Sequence, residues 1–202
     1  MSPSSRTPVL REQLLDAAAR VLDEHGASAV TTRRIAEVAG CSEGSIYNHF
    51  ANKEQLVSCV VSERIARFPA MISRLSEQAG TGDVRSHLQD IARLAIDFFR
   101  RGMPMMSVAA HDPGARAHCR ELHAEGHGPW RTTETMAAWL RKEQGLGRVH
   151  PDADPDGVAS ALLGSCMFHA TIALAWGHDL APDDDTAIER AVTAVWRGLA
   201  PT

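Results

Sequence analysis

The densest chemistry in the chain lies in Cys41-Ser42-Glu43-Gly44-Ser45-Ile46-Tyr47-Asn48-His49-Phe50-Ala51-Asn52-Lys53-Glu54. Ser45, Tyr47 and His49 place a hydroxyl, a phenol and an imidazole two residues apart, and Lys53 adds an ammonium. Such groups donate to phosphate oxygens and to the edges of bases. Ile46 and Phe50, four residues apart, would anchor the other face. Tyr47 is the only tyrosine in the chain, and on the face opposite Ile46 and Phe50 its exposed phenol is best explained by a phosphate. Gly44 weakens a helix by about 1 kcal/mol against Ala, which is tolerable where the backbone must approach a partner closely. Each residue has a blander explanation as a helix-start glycine, a solvated serine or surface filler.

More cations flank this stretch. Thr32 and Arg33 open a preceding helix and could hold phosphate on its free N–H groups, as could Lys53 at the start of the following one. Arg6 and Arg11 can reach in from an N-terminal arm, whereas Arg34 is as well explained as a solvated charge. Glu43 is the awkward member, because a carboxylate repels phosphate. It either accepts from a cytosine amine or points away, and the second reading is preferred.

These groups need helices to position them, and helical periodicity dominates the chain. Thr7-Pro8 opens the first helix, with Leu14, Ala18, Val21 and Leu22 on one stripe and Gly26 at its end. The second runs from about Thr32 to Ala39 and stops at Gly40. Ser42 caps a short third helix. Asn52-Lys53-Glu54-Gln55 has the form of a capping box for a long fourth helix, in which Pro69 predicts a kink or break. A fifth helix carries Val84, Leu88, Ile91, Ala95 and Phe98, with an interruption expected at 101–104. Asp112-Pro113, Asp154-Pro155 and Asp183-Asp184-Asp185 read as later helix starts. The expected fold is all-α, with about nine helices and a seam near residue 52: residues 1–52 form a three-helix N-terminal domain and 53–202 a larger helical one.

Bulk properties narrow the function. The net charge is -4, with 21 Lys/Arg against 25 Asp/Glu, so any DNA contact must come from a local patch. The four cysteines are widely spaced, and with no signal peptide they read as free thiols in a reducing cytoplasm. No apolar run is read as reaching the ~18 residues of a membrane span. Clustered Ser/His/Asp, a Gly-rich phosphate loop and paired carboxylates are all lacking, so no enzyme is expected.

Residues 31–56 closely resemble the helix-turn-helix signature of the TetR family of bacterial transcriptional regulators, through the core Ser-x-Gly-Ser-Ile-Tyr-x-His-Phe-x-x-Lys. In detail the resemblance covers about residues 10–57; beyond it only the helical layout matches. It implies a cytoplasmic homodimer on a palindromic double-stranded DNA operator, usually a repressor released by a small molecule. It also implies DNA-contact roles for Thr32, Ser42, Gly44, Ser45, Tyr47, His49 and Lys53, to which the residue reading adds Arg33. An effector-independent or activating regulator is the alternative.

The C-terminal half is less legible. Bulky, adaptable apolar residues, among them Phe68, Phe98, Met103, Met106, Trp130, Met136 and Phe168, are candidates for an effector pocket, or simply for core. Ile188, Val192, Val195 and Trp196 on the last helix, with Ala161 and Gly164 on the one before, are candidates for a dimer interface; the alternative is the monomer core. Cys119, His123 and His127 share a spacing that could meet a metal, but no metal, cofactor or membrane partner is expected.

Overall fold

The computed structural model describes residues 6–26, 29–109, 113–124, 129–177 and 180–200. Among them nine helices follow in order: α1 Arg6–His25, α2 Thr32–Ala39, α3 Glu43–Tyr47, α4 Lys53–Ser76, α5 Val84–Ala109, α6 Pro113–Ala124, α7 Pro129–Gly145, α8 Pro155–Trp176 and α9 Asp184–Trp196. The described residues contain no strand. The chain divides into two compact units, Met1–Arg64 with Pro104–Glu125, and Ile65–Met103 with Gly126–Thr202.

In the first unit α1 packs on α2 and α2 on α3. The core comprises Leu14, Ala18, Val21, Ile35, Ile46, Phe50 and Leu56, all essentially inaccessible to solvent. The caps follow the local sequence. Thr31, not Thr32, is the N-cap of α2, and its hydroxyl accepts from the Arg34 N–H at 3.2 Å. Gly40 ends α2 with φ 69°, a left-handed conformation that side chains other than glycine resist. At the head of α4, Asn52 Oδ1 accepts from the Gln55 N–H at 2.7 Å, and Gln55 Oε1 accepts from the Ala51 N–H at 2.6 Å. This is a capping box shifted back by one residue.

The second unit has its own core, with Phe68, Ile72, Leu88, Ile91, Ala95, Met136, Trp139, Leu140, Leu162 and Val192 among its members. Here α7 packs on α8 and α8 on α9. An arginine row on α5 faces an acidic row on α9: Arg85 donates to Glu189 and to Thr193 Oγ1 (2.9 Å), Arg93 to Asp185 (3.4 Å) and Arg100 to Asp184. Glu143, fully buried on α7, accepts from the Trp139 indole at 3.2 Å and from the Gly80 N–H at 3.0 Å, and pairs with Arg148 at 3.0 Å. It thereby ties the α4–α5 turn and the α7–α8 turn to one helix.

Three local expectations are corrected. Pro69 does not break α4, which runs unbroken from Lys53 to Ser76. Proline costs a helix interior about 3 kcal/mol, and the burial of Phe68 and Ile72 on either side holds the helix together. Nor does the helix stop at 101–104: α5 continues to Ala109, and an i,i+4 bond from Arg101 Nε to Asp97 Oδ1 at 2.9 Å lies on the turn that leads into that stretch. Finally, α8 is long and apolar enough to cross a membrane by length and composition. Nearly every side of it is apolar, because one face enters the core through Ala159, Leu162, Cys166 and Ala170 while the other still carries Phe168, Leu174 and Trp176.

Candidate nucleic-acid interface

The site is built on α2, the turn at Gly40–Ser42, α3 and the first turn of α4. Five residues are too few for a helix to hold by itself, so α3 depends on its anchors. Ile46 is wholly buried and Phe50 nearly so. The Arg11 guanidinium lies 5.3 Å above the Phe50 ring and its NH2 reaches Cys59 Sγ at 3.7 Å. Arg11, expected as a reserve DNA contact, instead clamps the aromatic anchor of α3. Burial raises the Cys59 thiol above its ordinary pKa, partly offset by Arg11.

All eight expected DNA-contact residues are accessible, and all belong to the first unit. Tyr47 is 55% exposed, Arg33, Ser42 and Gly44 are exposed, and Thr32, Ser45, His49 and Lys53 are half-buried. With Ile46 and Phe50 turned inward, the phenol of Tyr47 faces solvent. The Ser42 hydroxyl does not cap the backbone of α3; it bonds the Ser45 hydroxyl at 2.8 Å. Both hydroxyls keep lone pairs, but the two share one donated proton, so together they present a single remaining O–H to a partner.

Two of the candidates already have intramolecular partners. Arg33 Nε donates to Glu37 Oε1 at 3.1 Å across one turn of α2. That pair is exposed on both sides and is worth little in water, so the guanidinium is available to a stronger anion. Thr32 Oγ1 donates to Glu43 Oε1, joining the first residue of α2 to the first residue of α3. Sequence spacing alone does not show this use of Glu43. A carboxylate next to the positive end of a helix was the only signal for it.

Gly44 bears on the purpose of the surface. Its φ is not positive, and an added Cβ would meet nothing nearer than Ser42 Oγ at 3.9 Å. Neither backbone strain nor crowding within the chain requires glycine there.

In the second unit the structure scatters the expected effector-pocket residues. Phe68 and Phe98 stack at 4.0 Å with their rings 4° apart, and Phe99 meets both edge-on; Met103 is half-buried. Met136, however, is wholly buried, whereas Trp130 and Phe168 are 65% and 68% exposed. The side chain of Met106 lies outside the described residues, as do those of Cys119, His123 and His127. Two open grooves, one of about 400 Å³ beside Glu77, Arg131 and Lys142 and one of about 560 Å³ beside Met71, Arg74 and Leu94, contain none of the seven.

The expected dimer set is likewise divided. Ile188 and Val192 are core, 3% and 0% exposed, and Val195 and Trp196 pack half-buried against that core. The α5 arginine row holds α9 from the side of Asp185 and Glu189, which turns its apolar stripe inward. On α8, Ala161 is exposed and Gly164 half-buried, and Ser165, Met167 and Phe168 extend that outer face.

Comparison with known proteins agrees with this geometry. Residues 14–60 match the family model described as bacterial regulatory proteins, tetR family. The HTH-type transcriptional repressor AcnR of Corynebacterium efficiens is 36% identical over 107 residues, 53% of this chain and 54% of that protein. The HTH-type transcriptional repressor KstR2 of Mycolicibacterium smegmatis is 43% identical over 61 residues, 30% of this chain and 28% of that protein. The chain thus spans about half the length of the former and less of the latter. A crystal structure from Mesorhizobium loti, described as TetR-family, matches the fold with a TM-score of 0.73 and 19% identity, covering 98% of this chain and 100% of that one. The helix-turn-helix built on α2 and α3 thus lies within the segment that matches the tetR family of bacterial regulatory proteins, and the helical fold of the described residues is that of the Mesorhizobium loti structure.

Proposed function

We propose that this chain is a DNA-binding transcriptional repressor, not an enzyme, acting in the cytoplasm as a homodimer on a palindromic operator and released by a small-molecule effector. The observation that carries the reading is Gly44: a helix-weakening residue, free of strain and of internal crowding, among the accessible donors of Ser42, Ser45 and Tyr47. Close approach of an outside backbone is the reason left for it. Residues 1–52 form the DNA-binding domain in this reading and 53–202 the effector-binding and dimerisation domain. The relatives named as repressors support the sign of regulation.

The reading takes the outer face of α8, through Ala161, Gly164, Ser165 and Phe168, as the centre of a two-fold interface. An apolar helix whose outer face carries Phe168 and Trp176 is then a core helix on one side and an interface on the other. The aromatic cluster of Phe68, Phe98 and Phe99 is the best remaining wall for an effector site. Selecting bound sequences from random DNA tests the first part. An inverted repeat, with half-sites about one helical turn apart, is the expected product. Compounds that stabilise the protein in a thermal-shift screen should then lower its affinity for that sequence. If they leave it unchanged, the effector-independent regulator replaces this reading.

A further inference from the structure

We propose that Glu43 reads a cytosine in each half-site and that Thr32 holds it in position to do so. The inference rests on the DNA-binding reading above and adds to it the chemistry of one base contact. Glu43 is exposed on the first residue of α3, and the first residues of a recognition helix are the ones that reach base edges. An ionised carboxylate only accepts hydrogen bonds. Phosphate oxygens also only accept, so the DNA backbone gives it no partner. In the major groove the base-edge donors are the N4 amine of cytosine and the N6 amine of adenine. Beside the adenine amine lies N7, an acceptor that repels a carboxylate; beside the cytosine amine lies a C–H. Cytosine is therefore the matching base.

A glutamate side chain is flexible, and fixing it on binding weakens discrimination. Thr32 removes part of that cost, because its hydroxyl donates to Oε1 of Glu43 in the unbound protein. Using Oε1 in this way leaves the second carboxylate oxygen to meet the base. The same bond reassigns Thr32: one hydroxyl has one proton, so while it holds Glu43 it does not donate to phosphate. Gly44, next in sequence and with no side chain of its own to hold a partner off, lets the start of α3 sink far enough for a carboxylate to reach the groove.

The test is selection from random double-stranded DNA by the full-length wild type, Glu43→Gln, Glu43→Ala, Thr32→Val and Thr32→Ser. Affinities are then measured for single-base variants of the wild-type sequence, and thermal melts confirm that each variant is folded. The wild type should require cytosine at one position per half-site by about tenfold or more. Glu43→Gln should move the preference at that same position to adenine, whose N6 and N7 a carboxamide matches. Glu43→Ala should erase the preference, Thr32→Val should flatten it while the other positions keep theirs, and Thr32→Ser should retain it. If Glu43→Gln leaves the preference unchanged at every position and only raises affinity evenly, Glu43 is a repelling charge and the inference falls while the DNA-binding reading stands. If the wild type enriches no sequence at all, the DNA-binding reading itself falls and takes this inference with it.

Discussion

A Cβ built on Gly44 would stand 3.9 Å from Ser42 Oγ, an ordinary van der Waals distance, with nothing closer. The chain could therefore carry alanine at that position without strain. Gly44→Ala should raise the stability of the first unit, by at most about 1 kcal/mol, and yet weaken operator binding, because the methyl group stands where the DNA backbone must come. Thermal melting and fluorescence anisotropy on one preparation check both halves. Higher stability with undiminished affinity would remove the argument that ties Gly44 to DNA.

Arg11 is predicted to act on fold rather than on contact. Its guanidinium over Phe50 is worth about 0.5–1 kcal/mol at a partly exposed site, and Phe50 is one of the few anchors of α3. Arg11→Gln should lower the melting temperature and weaken DNA binding only in proportion, with the salt dependence of binding unchanged. A shallower salt slope would instead mark Arg11 as a phosphate contact.

Much of the helix-turn-helix was legible in the sequence because its signals are local: Gly40 takes a left-handed conformation, Asn52 and Gln55 both cap the start of α4, and Ile46 and Phe50 share a face by spacing alone. The solvent-facing side was legible for the same reason, since opposite the buried Ile46 and Phe50 the Tyr47 side chain turns outward. The bond from Thr32 to Glu43 was not, because it joins two helix starts across a turn. The expected break at Pro69 does not occur because the burial of Phe68 and Ile72 outweighs local propensity. Ile188 and Val192, buried within the chain, show a further reason: an apolar stripe shows that a helix is covered on one side, not by what. The arginine row of α5, distant in sequence, decides which way α9 turns.

The outer face of α8 should carry the dimer. Phe168→Asp is expected to give a folded monomer by light scattering, with weakened operator binding. Ile188→Ala, by contrast, removes a core contact and should cost about 2–5 kcal/mol of stability. If Phe168→Asp remains a dimer, the interface lies elsewhere.

Acid should loosen the second unit through Asp184. The Arg100 hydrogen bond, chiefly, and then that of His169 at 3.0 Å hold its carboxyl below the usual range. A carboxyl whose pKa is lower folded than unfolded contributes stability above its unfolded value, and that contribution is lost as pH falls through the folded one. Asp184→Asn should therefore melt lower than wild type at pH 7, and the gap should close as pH drops below about 4. A gap that persists unchanged in acid would mean that the charge of Asp184 is not what stabilises this junction.

Binding of the selected operator by the double variant Tyr47→Phe, Lys53→Gln tests the central claim most directly, since it removes one donor and one charge from exposed and half-buried positions and spares the core. The account predicts an unchanged melting temperature, a loss of affinity of about tenfold or more, and a salt slope shallower by about one phosphate contact. Wild-type affinity with a wild-type salt slope would contradict it.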